Sequence, residues 1–201
     1  MQIAVLTGDL VGSTDQSAEA LSDIFRMIEA TAAEIADWQQ SPTKLTRYRG
    51  DGWQMMLKGP RLGLRAALAV MAGVQSLGAA TRVAVAIGAG DPGDNPTLEA
   101  ASGPAFIASG RALDGMDPRV RLASPDGGAT SALFRLADAL AADWTEAQAR
   151  AVALKLPPDS PTNAEIGTTL GISRQAVEKA LAGAKFGAIE DALTLHEAAH
   201  D

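Results

Sequence analysis

The chain has 201 residues, 47% of them hydrophobic and 20% charged, which suits one large domain or a medium domain followed by a small one, with apolar content for a real core. It has no cysteine, which excludes a disulfide framework and a thiolate metal site. Its two histidines, His196 and His200, lie at the C-terminal end, which argues against a histidine-rich zinc centre. The net charge of −7 argues against strong nonspecific binding to nucleic acid, because that binding draws on basic surface.

The first residues are apolar but lack a basic start and a long core, so no signal peptide is expected. No apolar run of about 18 residues occurs, so the sequence predicts no membrane partner and a cytoplasmic location. Gln2 to Gly8 alternates as a strand, with Ile3, Val5 and Thr7 on one face. A helix capped by Asp15 or Ser17 follows, with Leu21, Ile24, Phe25, Ile28, Ile35 and Trp38 at helical spacing, and ends at Ser41-Pro42-Thr43. Lys44–Arg49 and Trp53–Lys58 read as a hairpin turned by Gly50-Asp51-Gly52. Pro60 opens a second helix to about Gly78, and Arg82–Gly88 is a strand. A loop rich in Asp, Pro and Gly spans Asp91–Ser102. A short helix runs from Gly103-Pro104 to about Leu113, and a last strand covers Arg119–Ser124. The order β-α-β-β-α-β is that of a ferredoxin-like unit. From Ser131 the pattern is helical, with helices expected near 131–143, 145–155, 162–170, 173–182 and 187–199. The expected fold is therefore α+β over residues 1–128, followed by an all-α unit over 129–201.

Two carboxylates stand out. Asp9 ends the first strand, and Asp51 sits at the hairpin tip. A ferredoxin-like topology puts the first strand beside that hairpin, so the two acids are expected to be neighbours. Alone, each has a plain structural reading as a strand end or a turn residue. Together, with Val11, Gly12, Ser13 and Thr14 feeding a helix N-terminus that favours phosphate, they fit a Mg²⁺ ion and a nucleotide.

Gly8-Asp9-Leu10-Val11-Gly12-Ser13, the Gly50-Asp51-Gly52-Trp53-Gln54 tip, Ala86-Ile87-Gly88-Ala89-Gly90, Gly103-Pro104-Ala105-Phe106 and a C-terminal helix-turn-helix resemble the SatD family of bacterial proteins over nearly the whole chain. Residues 1 to about 125 resemble, more distantly, the catalytic palm of class III nucleotidyl cyclases. That resemblance implies Asp9 and Asp51 as metal ligands, Arg47 at a base-selecting position and Arg111 as the catalytic, transition-state arginine. It also places Ile107 where cyclases carry a ribose-orienting asparagine, and an isoleucine cannot donate that hydrogen bond. A nucleoside triphosphate or cyclic nucleotide is the implied ligand, and a homodimer the implied assembly. Arg47 and Arg111 also read as ordinary solvated positions.

Thr162 to Val177 fits a helix-turn-helix, similar to sigma region-four modules. Thr162 or Asn163 caps the first helix, small Ala164 and Gly167 allow close packing, Gly171 makes the turn and Ser173 caps the second helix. Ser173, Arg174, Gln175 and Lys179 would meet DNA, with Arg and Gln suited to base edges. Against this, five basic residues from Thr145 onward face eight acidic ones. The leading expectation is a DNA-binding transcriptional regulator whose first unit senses a nucleotide and metal. The alternative is an active Mg²⁺-dependent nucleotidyl cyclase or related phosphoryl-transfer enzyme. A structural dimer with relic sites is a third reading.

Overall fold

The structure is a computed structural model that describes residues 1–48 and 50–199. Arg49, the expected end of the second strand, and His200 lie outside the described residues. Strand β1 (Gln2–Leu10) is central and pairs antiparallel with β3 (Trp53–Leu57) on one side and β4 (Thr81–Ala89) on the other. The edge strand β2 (Lys44–Arg47) pairs antiparallel with β3, and β5 (Leu122–Ala123) runs parallel to β4. The sheet order is thus β2-β3-β1-β4-β5, and its first four strands have the order and directions of a βαββαβ unit. β1 runs two residues further than its sequence pattern suggests, so Asp9 lies within the ladder, directly opposite Arg82.

Strand alternation divides the sheet faces. Ala4, Leu6, Leu10, Trp53, Met55 and Leu57 join one apolar cluster with α1 (Ala18–Trp38) and α2 (Gly63–Gln75). Ile3, Val5 and Met56 point the other way and pack with Ala105 of α3 (Pro104–Asp114). Ser17 caps α1 by accepting from the Ala20 amide at 3.1 Å, and Ile24, Phe25, Ile28, Ala32 and Ile35 supply its buried stripe. Pro60–Leu62 forms a 3₁₀ turn ahead of α2 rather than its first turn.

All thirteen residues of α2 are buried. A helix apolar on every side needs cover on every side. The sheet and α1 supply one half. The helical C-terminal part supplies the other through α4 (Gly128–Ala141), α5 (Glu146–Lys155) and α8 (Phe186–Ala198), while α6 (Asn163–Leu170) and α7 (Arg174–Gly183) pack on α5. The main apolar cluster continues without a break through Phe134, Trp144, Val152, Leu156, Ile166, Val177 and Leu193. One core thus crosses the position, near residue 128, at which the sequence suggests a division. Arg65 of α2 crosses it too. Its Nε and Nη2 donate to Glu197 at 2.6 and 3.0 Å, and its Nη1 donates to the Leu156 carbonyl at 2.7 Å.

β5 is shorter than the expected Arg119–Ser124 strand because a side chain takes over its backbone donors. Buried Asp138 accepts from the Arg121 and Leu122 amides, both at 2.8 Å. Among the described residues no helix is long and apolar enough to cross a membrane.

Candidate functional site

Asp9 projects from the α3 side of the sheet, two residues beyond Thr7, near the end of β1 where the chain turns away. Gly12 makes that turn with φ of 65°, a left-handed conformation that side-chain-bearing residues adopt at a cost. Ser13–Asp15 then form a single 3₁₀ turn leading to α1. The Asp51 turn is set by Trp53, whose indole is buried and donates to Thr81 Oγ1 at 3.2 Å. The result is a cleft of about 350 Å³ lined by Asp9, Val11 to Thr14, Asp51, Arg82 and Pro118. The two acids that the sequence singled out therefore share one cavity with the Gly12 loop.

That cavity already holds a cation of its own. Arg82 Nε donates to Asp9 Oδ1 at 2.9 Å, and Nη2 donates to Oδ2, so both carboxylate oxygens are engaged in a two-point pair. The pair is half-buried, with side-chain exposures of 28% for Arg82 and 23% for Asp9. The hydrogen bond to Asp9 is the main cause that raises the Arg82 pKa above its ordinary value, and the charges of Asp51 and Asp114 act in the same direction. Ser13 Oγ donates to Asp51 Oδ2. Magnesium needs free carboxylate oxygens and prefers an octahedral shell completed by phosphate and water. Here one carboxylate is fully engaged by a guanidinium, and among the described residues no group of three or more acids or histidines is placed to hold an ion. The side chains as arranged do not fit a Mg²⁺ site, and a cation would have to displace Arg82.

The remaining expected residues lie elsewhere. Arg47 stands opposite Trp53 in the β2–β3 register and so faces α1, across the sheet from Asp9. Its guanidinium carbon lies 3.7 Å from the centroid of the Phe25 ring, a cation–π contact. Arg111 is exposed on α3 and does not line the cleft. It lies one turn from Ile107, which is 55% exposed, and on the opposite side of the helix from Ser109, which is buried against Thr7. Arg82 is the residue that sequence reasoning missed. Its signal appears only once the β1–β4 register is known.

A hydrogen-bonded chain runs across the sheet beside the cleft. Tyr48 OH donates to Gln54 Oε1 at 2.9 Å, Gln54 Nε2 donates to Thr7 Oγ1 at 2.9 Å, and Thr7 meets Ser109 Oγ at 2.8 Å. Partial burial raises the Tyr48 phenol pKa above its ordinary value.

At the other end of the molecule, Thr162 and Glu165 form a reciprocal capping box at the start of α6. A Cβ on Gly167 would lie 2.8 Å from the Ile172 carbonyl, so only glycine allows α6 to approach the start of α7 this closely. Ser173 caps α7, accepting from the Ala176 amide at 3.2 Å. Arg174, Gln175 and Lys179 are exposed on α7, while Val177 and Leu181 are buried. Arg174 Nε donates to Glu178 at 2.7 Å, so the first basic group of that face is paired within its own helix.

No family model and no curated protein matches the chain. Among solved structures it is similar to the guanylyl cyclase Cya2, with 12% identity, a TM-score of 0.41, and coverage of 64% of this chain and 87% of that one. That is a distant likeness, and it assigns no activity to this chain.

Proposed function

We propose that this protein is a DNA-binding transcriptional regulator of the SatD type whose cyclase-like α+β part binds a nucleotide in the Asp9–Asp51 cleft as a sensor rather than as a catalyst. The observation that carries the sensing reading is the two-point grip of Arg82 on Asp9. It neutralises the carboxylate on which metal-dependent turnover would depend, while the Gly12–Ser13–Thr14 loop stays open to a ligand. The solvent-facing Arg174, Gln175 and Lys179 on a capped second helix support the DNA reading. A homodimer would double the DNA contacts and offset the acidic balance of the helical part. The nucleotide would alter DNA binding only through unequal affinity for two arrangements of the chain.

The test is calorimetry with ATP, GTP and cyclic nucleotides, with and without Mg²⁺, on the full chain and on Asp51→Ala. Binding without turnover, lost in the variant, supports the sensor. Asp51-dependent release of pyrophosphate or cyclic nucleotide would overturn it in favour of a Mg²⁺-dependent nucleotidyl cyclase, the alternative that the shared placement of Asp9 and Asp51 keeps in view. DNA selection with the full chain tests the second half. Arg174→Ala and Gln175→Ala should each weaken a selected site by about tenfold or more if they touch base edges. Unchanged affinity would remove α7 as the reading helix.

A further inference from the structure

A second cavity, of about 420 Å³, lies between α1 and α2 on one side and α5 and α6 on the other. It follows from a second stripe on α1. Met27, Thr31, Glu34 and Trp38 repeat at helical spacing beside the buried stripe of Ile24, Ile28 and Ile35, and all four line the cavity. The floor is closed by a tight approach of α1 to α2. A Cβ on Gly73 of α2 would lie 3.0 Å from Met27 Cγ and 3.4 Å from Thr31 Oγ1. Trp38, Leu154 of α5 and Leu170 of α6 line the space above that floor. Lys155 Nζ holds the Pro157–Pro161 wall by donating to the Pro161 carbonyl at 3.0 Å. An apolar cavity of this size between helices suits a small ligand.

Two carboxylates stand in this apolar setting. Glu34 is three residues from Asp37 and four from Trp38 on α1, spacings that bring side chains to about 5–6 Å from one another on one helix surface. Both acids line the cavity and are exposed, so a ligand can reach them. Among the described residues neither carboxylate has a hydrogen-bond or ion-pair partner. Arg150, the basic residue of the lining, is turned to Glu146 at 3.0 Å and to the Ser76 carbonyl at 3.3 Å. Partial burial, and then the charge of Asp37, raise the Glu34 pKa above its ordinary 4.5. An incoming cation relieves both causes.

We propose that this cavity binds an organic cation with an apolar body, such as an aryl-alkyl ammonium. The ammonium meets the Glu34 and Asp37 carboxylates beside the Trp38 ring, and the body fills the space toward Ala69 and Leu154. A bare metal cation would leave the apolar walls wet, and a neutral apolar molecule would leave the carboxylates unpaired. The site shares no residue with the Asp9–Asp51 cleft, so it stands apart from the proposed nucleotide binding.

The test is calorimetry on the full chain with 2-phenylethylamine, 2-phenylethanol and phenylacetate, three probes of similar size that differ in charge. The expected result is saturable binding of the amine at millimolar concentration or below. The alcohol should bind about tenfold more weakly, the scale of a charge-assisted contact with a cation–π contact beside it, and the acid more weakly still. The double variant Glu34→Gln, Asp37→Asn should bring the amine down to the level of the alcohol and leave the alcohol unchanged. Both positions are exposed, and circular dichroism checks that the fold persists. No binding of the amine at millimolar concentration, equal binding of amine and alcohol by the wild type, or undiminished amine binding by the double variant would each overturn the proposal.

Discussion

Arg82 and Arg47 show how far a residue's neighbours can depart from its neighbourhood in sequence. Arg82 opens a strand in the sequence pattern, where nothing local marks a partner for it, yet the β1–β4 register delivers it onto Asp9. Replacing it with methionine keeps the side-chain stem and removes the charge. Asp9 and Asp51 then face the same cleft without a resident cation, and Mn²⁺ affinity measured by titration should rise about tenfold or more, the scale of removing one like charge at contact distance. The same variant should lose about 1 kcal/mol of stability, since the broken pair is partly solvated. Arg47→Ala makes a contrasting case. Its guanidinium lies over Phe25 on the far face, so the substitution should cost about 0.5–1 kcal/mol in a denaturant melt and leave the proposed nucleotide binding at the Asp9–Asp51 cleft unchanged. The proximity of the two acids was legible from topology alone. Arg47 was misplaced because facing depends on counting residues across the hairpin. Arg82 was missed because a charge pair between strands needs the register, which apolar alternation sets only after folding.

At the level of elements, period and punctuation carried most of the reading. The apolar stripe of α1, the Ser17 cap, the hairpin around Asp51 and the pair α6–α7 with Gly167 and Ser173 all stand where the sequence puts them. The errors cluster where a tertiary contact overrides local preference. Asp138 captures the amides that would have lengthened β5, and no window around Arg119–Ser124 contains that carboxylate. The α6 cap offers a pH test. The Thr162 amide, and secondarily its hydroxyl, donate to the Glu165 carboxylate and lower its pKa below the ordinary 4.5. A lowered folded-state value means that the capping contribution is intact above pH 4.5 and fades as pH falls through the folded value. Acid unfolding of the wild type should therefore diverge from that of Glu165→Ala above this window and converge with it below. Thr162→Ala should cost about 1 kcal/mol.

The whole molecule is organised around α2. Sequence composition at the 128/129 junction shows a change from mixed to helical structure and thus suggests two units, but it cannot show that the two halves share apolar cover. The burial of all thirteen α2 residues and the Arg65–Glu197 pair show that sharing. Glu197→Gln weakens this pair while keeping the shape of the side chain, and it leaves a guanidinium that is 7% exposed without its counter-charge. A loss of about 3 kcal/mol is expected. Unfolding followed separately through Trp53 in the sheet and Trp144 in the helical part, each retained as the sole tryptophan, should give coincident transitions before and after the substitution.

The wrapped helix also governs how the protein can be dissected. A fragment ending near residue 128 would bare Leu64, Leu68 and the far side of α2 to water, and an oily stripe of that kind drives clumping rather than solubility. Scissors are thus the wrong tool for testing the proposed sensing and the proposed DNA reading apart. Each proposal has to be tested by single surface substitutions in an uncut chain.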